Sequence, residues 1–165
     1  MSADDIPFER LMIGATLNLL AQAINHRVVE TLHAQGFPDF RPAFHPVFQW
    51  CKPEGSRLSE LAEMSGVTKS AMTQLIDVLV HLGYVERVPD SRDGRATLIQ
   101  RTERGWDINR IAARVVEETQ REWSAALGSE RFTLLLETLR DLTRLTYSTS
   151  STSSTSSSSQ RGVED

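Results

Sequence analysis

A single cysteine, Cys51, stands among the 165 residues. One thiol cannot build an intramolecular disulfide framework or a cysteine-rich zinc finger. It points instead to a reducing, cytoplasmic setting. No apolar run approaches the roughly 20 residues that cross a bilayer, so no membrane partner is expected. The opening residues, MSADDIPFERLM, are acidic and carry no secretory pattern. Positive charge is scarce as well: 18 lysines and arginines face 22 acids, a net charge of −4. A generally adhesive polycation is thereby excluded, but a localised contact surface is not. The motifs of enzyme chemistry are also missing. There is no glycine-rich phosphate cradle, no H-E-x-x-H and no G-x-S-x-G, so neither an enzyme nor a cofactor is expected. Four histidines (His26, His33, His45 and His81) supply no closed ligand set, and no metal is expected.

What is present is an apolar content of 39%, enough for one core. Residues 6–35 carry a helical period, with Leu11, Met12, Ala15, Leu19, Ala23 and Ile24 on one side and Gly36 and Pro38 as the stop. A helix of about 30 residues would be roughly 45 Å long. A small domain cannot cover that length alone, so a partner chain is expected along it. Residues 37–55, FPDFRPAFHPVFQWCKPEG, hold four prolines and five aromatics. Pro42 suits a helical first turn, while Pro46 lies at the edge of tolerance. A short helix over about 42–51 is predicted, starting late or bending at Pro46.

A second short helix is predicted over 58–65 and a third from Thr68 to about Leu82. Between them, Gly66 supplies the bend and Val67 is expected to plug the gap. The Thr68 hydroxyl caps the third helix, and Gly83 ends it. The period then changes to two. YVERV and ATLIQRT read as strands joined by the turn PDSRDG. Thr102 opens another helix that extends to about Leu127, and Gly128 separates it from a last one over 129–146. Residues 148–165, rich in serine, have nothing to bury and are expected to form a disordered tail. The fold class is mainly α, with a small β-hairpin.

Helix, tight turn, helix and hairpin in that order make a winged helix-turn-helix. The helix after the turn has two unlike faces. Met72, Leu75, Ile76 and Leu79 fall at the spacing that buries one side. Lys69, Ser70, Thr73 and Gln74 occupy the other. These are side chains of medium reach with directional donors and acceptors, which is what the base edges and phosphates of a DNA major groove require. An ordinary solvated face is the alternative. The hairpin tip weighs on the same choice, because PDSRDGRAT sets Arg92 and Arg95 on an exposed turn beside Asp90 and Asp93. Arginine at such a tip suits the negative potential of a narrow minor groove.

Residues 58–105, LSELAEMSGVTKSAMTQLIDVLVHLGYVERVPDSRDGRATLIQRTERG, resemble the winged helix-turn-helix core of MarR-type transcriptional regulators. The D-x-R-D-x-R wing and the RTERG that follows it carry the likeness. The resemblance implies a homodimeric regulator on a pseudo-palindromic operator in double-stranded DNA, usually a repressor released by a small molecule or an oxidant. It implies dimerisation helices over 6–36 and 128–146, a DNA-binding lobe over 37–105 and a linking helix over 106–127. Matching positions imply DNA contacts from Thr68, Lys69, Ser70, Thr73, Gln74, Arg92 and Arg95, with Asp90 steadying Arg92. Across residues 56–105 seven basic side chains face seven acidic ones, which implies modest and strongly salt-dependent binding.

Relatives in this family often hold effectors between the dimer helices and the DNA-binding lobe. His26, Phe44, His45, Phe48 and Trp106 are the matching candidates. Aromatics there would clasp a flat ligand and a histidine would hold its carboxylate; core packing is the plain alternative. Cys51 beside Lys52 raises the further alternative of a thiol redox sensor, which requires access and a lowered pKa. A winged helix that binds protein instead of DNA is the remaining alternative.

Overall fold

The computed structural model describes residues 13–150, with side chains from 13 to 146. The expectations for residues 6–12 and 151–165 lie outside those described. The fold is mainly α with a small antiparallel sheet. The chain divides into two compact units, one ending at Glu118 and the other beginning at Thr119.

In the first unit, helix α1 (Ile13–Ala34) turns Val28, Val29 and Leu32 into the core. The stripe expected along its other end is a different face. Ala15, Leu19 and Ala23 are exposed, and of that set only Ile24 packs against the core. Pro42–Phe44 then form one 3-10 turn that runs into α2 (His45–Trp50). Pro46 thus falls in the first turn of α2, where its missing N–H leaves no hydrogen bond unmade. The late start that the prolines implied is how the chain resolves them. Phe37, Phe40, Phe44 and Phe48 are all buried, and Phe40 meets Phe44, His45 and Phe48 edge-on.

Helix α3 (Leu58–Ser65) occupies the predicted residues. Gly66 closes it at φ 66°, a left-handed backbone that a side chain would strain. Val67 does not plug the gap between the helices; it is 42% exposed, and Leu61, Ala62 and Met72 are buried there instead. Its backbone N–H, bonded to the Ala62 carbonyl, is what closes the turn. Helix α4 (Lys69–His81) follows. Burying a side chain such as Met72, Ile76 or Leu79 is worth about 1.5–3 kcal/mol, and all three are fully buried. One face of α4 is therefore fixed to the core.

The sheet has three strands where the sequence had revealed two. Strand β1 (Ser56–Arg57) pairs with β3 (Asp93–Arg101), which also pairs with β2 (Val85–Asp90). Two residues carry too little pattern to be recognised as a strand. Helix α5 (Glu103–Leu127) begins at Thr102, whose hydroxyl accepts from the Gly105 N–H and donates to the Gly83 carbonyl. Gly105 lies against Tyr84 so closely that an added Cβ would stand 2.1 Å from the Tyr84 carbonyl oxygen. This contact seats the first turn of α5 on the end of α4 and β2.

The second unit holds the end of α5 and helix α6 (Ser129–Ser150), which runs four residues past the predicted end. Phe132 is buried, while Leu134, Leu135 and Leu142 are exposed. No described helix is long and apolar enough to cross a membrane.

Candidate nucleic-acid interface

Helix α4 presents the face that the sequence singled out. Lys69, Ser70, Thr73 and Gln74 are all exposed, opposite the buried Met72, Ile76 and Leu79. Thr68 is the N-cap, its hydroxyl accepting from the Ala71 N–H at 3.1 Å. Thr73 donates its hydroxyl hydrogen back to the Lys69 carbonyl at 2.8 Å, so toward solvent its oxygen is an acceptor. The face therefore offers a cation, hydroxyl groups and a two-way amide on a rigid rod.

The wing explains its own D-x-R-D-x-R spelling. Asp90 accepts the Arg92 backbone N–H at 2.9 Å, and Asp93 accepts that of Arg95 at 3.3 Å. Each aspartate thus closes a turn on the arginine two residues ahead. Asp90 pairs with Asp93 across the tip while Pro89 pairs with Thr97, so Gly94, Arg95 and Ala96 bulge from the ladder. Bulges of this kind re-aim side chains. Asp90 holds Arg92 by a hydrogen bond to its backbone, and the ion pair of Asp90 is not with the Arg92 guanidinium. Its ion pair is with Arg57, at 2.9 Å, and Arg57 also reaches Asp93 at 3.3 Å. One arginine from β1 therefore clamps both turns. Sequence reading missed Arg57, and nothing within its own neighbourhood marks it.

This clamp has a pH signature. Asp90 is held below the usual carboxylate range, first by the Arg92 N–H and then by Arg57. A carboxyl lowered on folding contributes stability that is complete above its unfolded pKa, near 4, and is lost as pH falls through the folded value. Asp90→Asn is expected to lose stability at neutral pH and to show a shallower decline than the wild type below about pH 4. Melting temperatures of the two proteins between pH 6 and pH 2.5 check this. Parallel curves would remove Asp90 from the clamp.

Internal pairing sorts the charges. Arg57 takes Asp90 and Asp93, Arg87 takes Asp77 at 2.6 Å, and Lys52 takes Glu60 at 3.3 Å. Arg101, counted among the seven basic residues, is buried. It donates to the carbonyls of Phe48 and Cys51 and lies 4.6 Å from the ring centre of Trp106. Lys69, Arg92 and Arg95 form no ion pair among the described residues. An even count of charges thus leaves three cations free on α4 and the wing.

The effector candidates separate. His45 and Phe48 line a cleft of about 280 Å³ whose other walls include Asn25, Asn109, Ala112 and Val116. Phe44 lies in the core, Trp106 is committed to Arg101, and His26 is exposed beside Glu30 at 3.3 Å. Asn109 was not foreseen; its amide donates to the Phe48 carbonyl at 3.4 Å. Burial lowers the pKa of His45, opposed by a hydrogen bond with the Asn25 backbone. Cys51 is buried, donates to the Ile99 carbonyl at 3.3 Å and has its pKa raised by that burial. It has neither the access nor the acidity of a sensing thiol. Among the described residues no three acids, histidines or cysteines gather as a metal site.

Residues 52–96 match the model of the MarR family. No curated protein matches the chain significantly. The reduced form of MarR of E. coli is similar in structure, with TM-score 0.64 and 23% identity over 80% of this chain and 96% of that one. A transcriptional regulator of Thermotoga maritima is 26% identical with TM-score 0.57, covering 88% and 97% of the two chains. CouR of Rhodococcus jostii, determined bound to p-coumaroyl-CoA, is 23% identical with TM-score 0.62, covering 80% and 89%.

Proposed function

Since residues 52–96 match the model of the MarR family and the chain has the fold of MarR-type winged-helix regulators, we propose that it is a transcriptional regulator binding double-stranded DNA in a sequence-specific way. The single observation that carries this reading is the sorting of charge. Every exposed lysine or arginine left without an ion pair on α4 and the wing belongs to the set expected to touch DNA. Helix α4 enters the major groove, where Lys69 and Gln74 address base edges and Ser70 and Thr73 reach bases or phosphates. Arg92 and Arg95 enter the adjacent minor groove. A mobility shift with the DNA upstream of the protein's own gene tests this. A shifted band that survives excess unrelated DNA is the expected result. Equal competition by any DNA would overturn sequence specificity.

The regulator acts as a homodimer on a pseudo-palindromic operator. Ile13, Leu17 and Leu20 on α1, and Leu134, Leu135 and Leu142 on α6, are apolar and exposed in the single chain. A second copy covers such surface, and two α4 helices then address half-sites about 34 Å apart. Sedimentation equilibrium is expected to give twice the chain mass. The output is repression, relieved when a small effector enters the cleft beside His45 and Phe48. An amphiphilic cleft with a few convergent polar groups is the physical support. The free cations of the wing favour DNA over protein as the partner, and the buried Cys51 disfavours a redox trigger.

Gln74→Ala is expected to change base preference more than overall affinity, because a bidentate amide discriminates by about 1–3 kcal/mol at one base pair. Binding to a library of single-base operator variants measures it. A uniform loss across the library would make Gln74 a phosphate contact.

A further inference from the structure

The hydroxyls on the exposed side of α4 differ in what they have left to offer. Thr73 gives its hydroxyl hydrogen to the Lys69 carbonyl at 2.8 Å. A carbonyl cannot donate, so the hydrogen in that bond is the threonine's own, and lone pairs are what remain. Thr68 is the opposite case. Its oxygen accepts from the Ala71 N–H at 3.1 Å, which leaves its hydrogen to give. Branching at Cβ restricts a helical threonine to two rotamers, favoured because the oxygen bonds a carbonyl about one turn back. The acceptor character of Thr73 is therefore built into the helix.

The charges beside Thr73 agree with that polarity. Asp77 stands four residues on, exposed on the same side of α4, with its carboxylate held by Arg87 at 2.6 Å. Lys69 stands four residues before, its ammonium on a long flexible stem. A phosphate beside Thr73 would face lone pairs and, one turn away, a carboxylate that already occupies Arg87. Lys69 draws such a phosphate toward the other end of α4. A DNA group that suits Thr73 has to bring a hydrogen. On the major-groove edges only the amino groups of adenine and cytosine do so, because guanine and thymine present acceptors there.

Resting on the reading of α4 as the helix in the major groove, we propose that Thr73 accepts a hydrogen bond from the exocyclic amino group of one adenine or cytosine in each half-site and makes no phosphate contact. Thr73 is thereby a specificity-determining residue. At the base it reads, the operator carries adenine or cytosine on the contacted strand, and guanine or thymine there is penalised. Bases and phosphates are both within reach of a threonine on this helix; the bond to Lys69 decides between them.

The test uses the full-length protein, the DNA upstream of its own gene and a library of single-base variants of that DNA. Thr73→Val keeps the branched shape and removes the oxygen, while Thr73→Ser keeps the oxygen. Thr73→Val is expected to flatten a preference for adenine or cytosine at one position per half-site, and Thr73→Ser to retain it. In a second arm that base is replaced by purine, for adenine, or by 2-pyrimidinone, for cytosine, each of which lacks only the amino group. The wild type is expected to lose about three- to tenfold in affinity on that replacement, and Thr73→Val to lose markedly less. The wild-type arm of this comparison stands even if Thr73→Val does not fold. A preference for guanine or thymine at the affected position would overturn the proposal, as would a uniform loss over the library, an unchanged profile in Thr73→Val, or no loss on removal of the amino group. Each of these leaves the DNA-binding reading intact as long as the wild-type shift survives unrelated competitor DNA. Absence of a sequence-specific shift by the wild type would overturn both.

Discussion

Arg92→Ala is expected to weaken DNA binding by roughly ten- to a hundredfold, with the fold intact by circular dichroism. The range corresponds to the 1–3 kcal/mol typical of an arginine engaged in a groove, at about 1.4 kcal/mol per tenfold. What Asp90 holds at this position is a backbone N–H, which alanine keeps. The guanidinium makes no ion pair among the described residues, so removing it leaves the wing's own bonds in place. Arg57→Ala is the informative contrast. It breaks the pairs to Asp90 and Asp93 and should lower both wing order and affinity. Unchanged affinity of Arg92→Ala at physiological salt would remove the wing from the mechanism.

Gly105→Ala is expected to destabilise the protein by about 3 kcal/mol or more, although it adds one methyl group and improves helix propensity. Overpacking in a well-packed site costs about 1–3 kcal/mol when side chains can adjust. Here the new Cβ would meet a backbone oxygen of Tyr84 at 2.1 Å and the Cβ of Arg101 at 3.2 Å. Neither is the flexible end of a side chain. The Tyr84 carbonyl also accepts the Thr102 N–H at 3.2 Å, so it cannot retreat without loosening the start of α5. Denaturant unfolding measures the effect. A midpoint close to wild type would mean that the α5 start is not held by this contact.

The elements legible in the sequence were those written in local chemistry. The 58–65 helix, the Thr68 cap and the two faces of α4 follow from spacing within a few residues, and the structure has them where spacing put them. Pro46 announced a late helix start, and α2 starts one residue before it. The misses share a cause. Arg57 meets Asp90 across 33 positions, Arg101 meets Phe48 across 53, and Asn109 meets Phe48 across 61. No periodicity relates residues so far apart. Arg101 entered the charge balance as one of seven cations because a charged letter carries no sign of burial, and only the free carbonyls at the end of α2 reveal why it can stay inside. Val67 failed for the opposite reason. It is an apolar letter at a tight turn, yet the closure it provides is a backbone hydrogen bond available to almost any residue.

Hydroxyl-radical footprinting of the wild-type protein on its own upstream DNA tests the central proposal most directly. Two protected backbone segments are expected, related by a two-fold axis and about one helical turn apart, each flanked by minor-groove protection that disappears in Arg92→Ala. Protection without symmetry, or none above that of unrelated DNA, would contradict a dimer reading an operator with α4 and its wing.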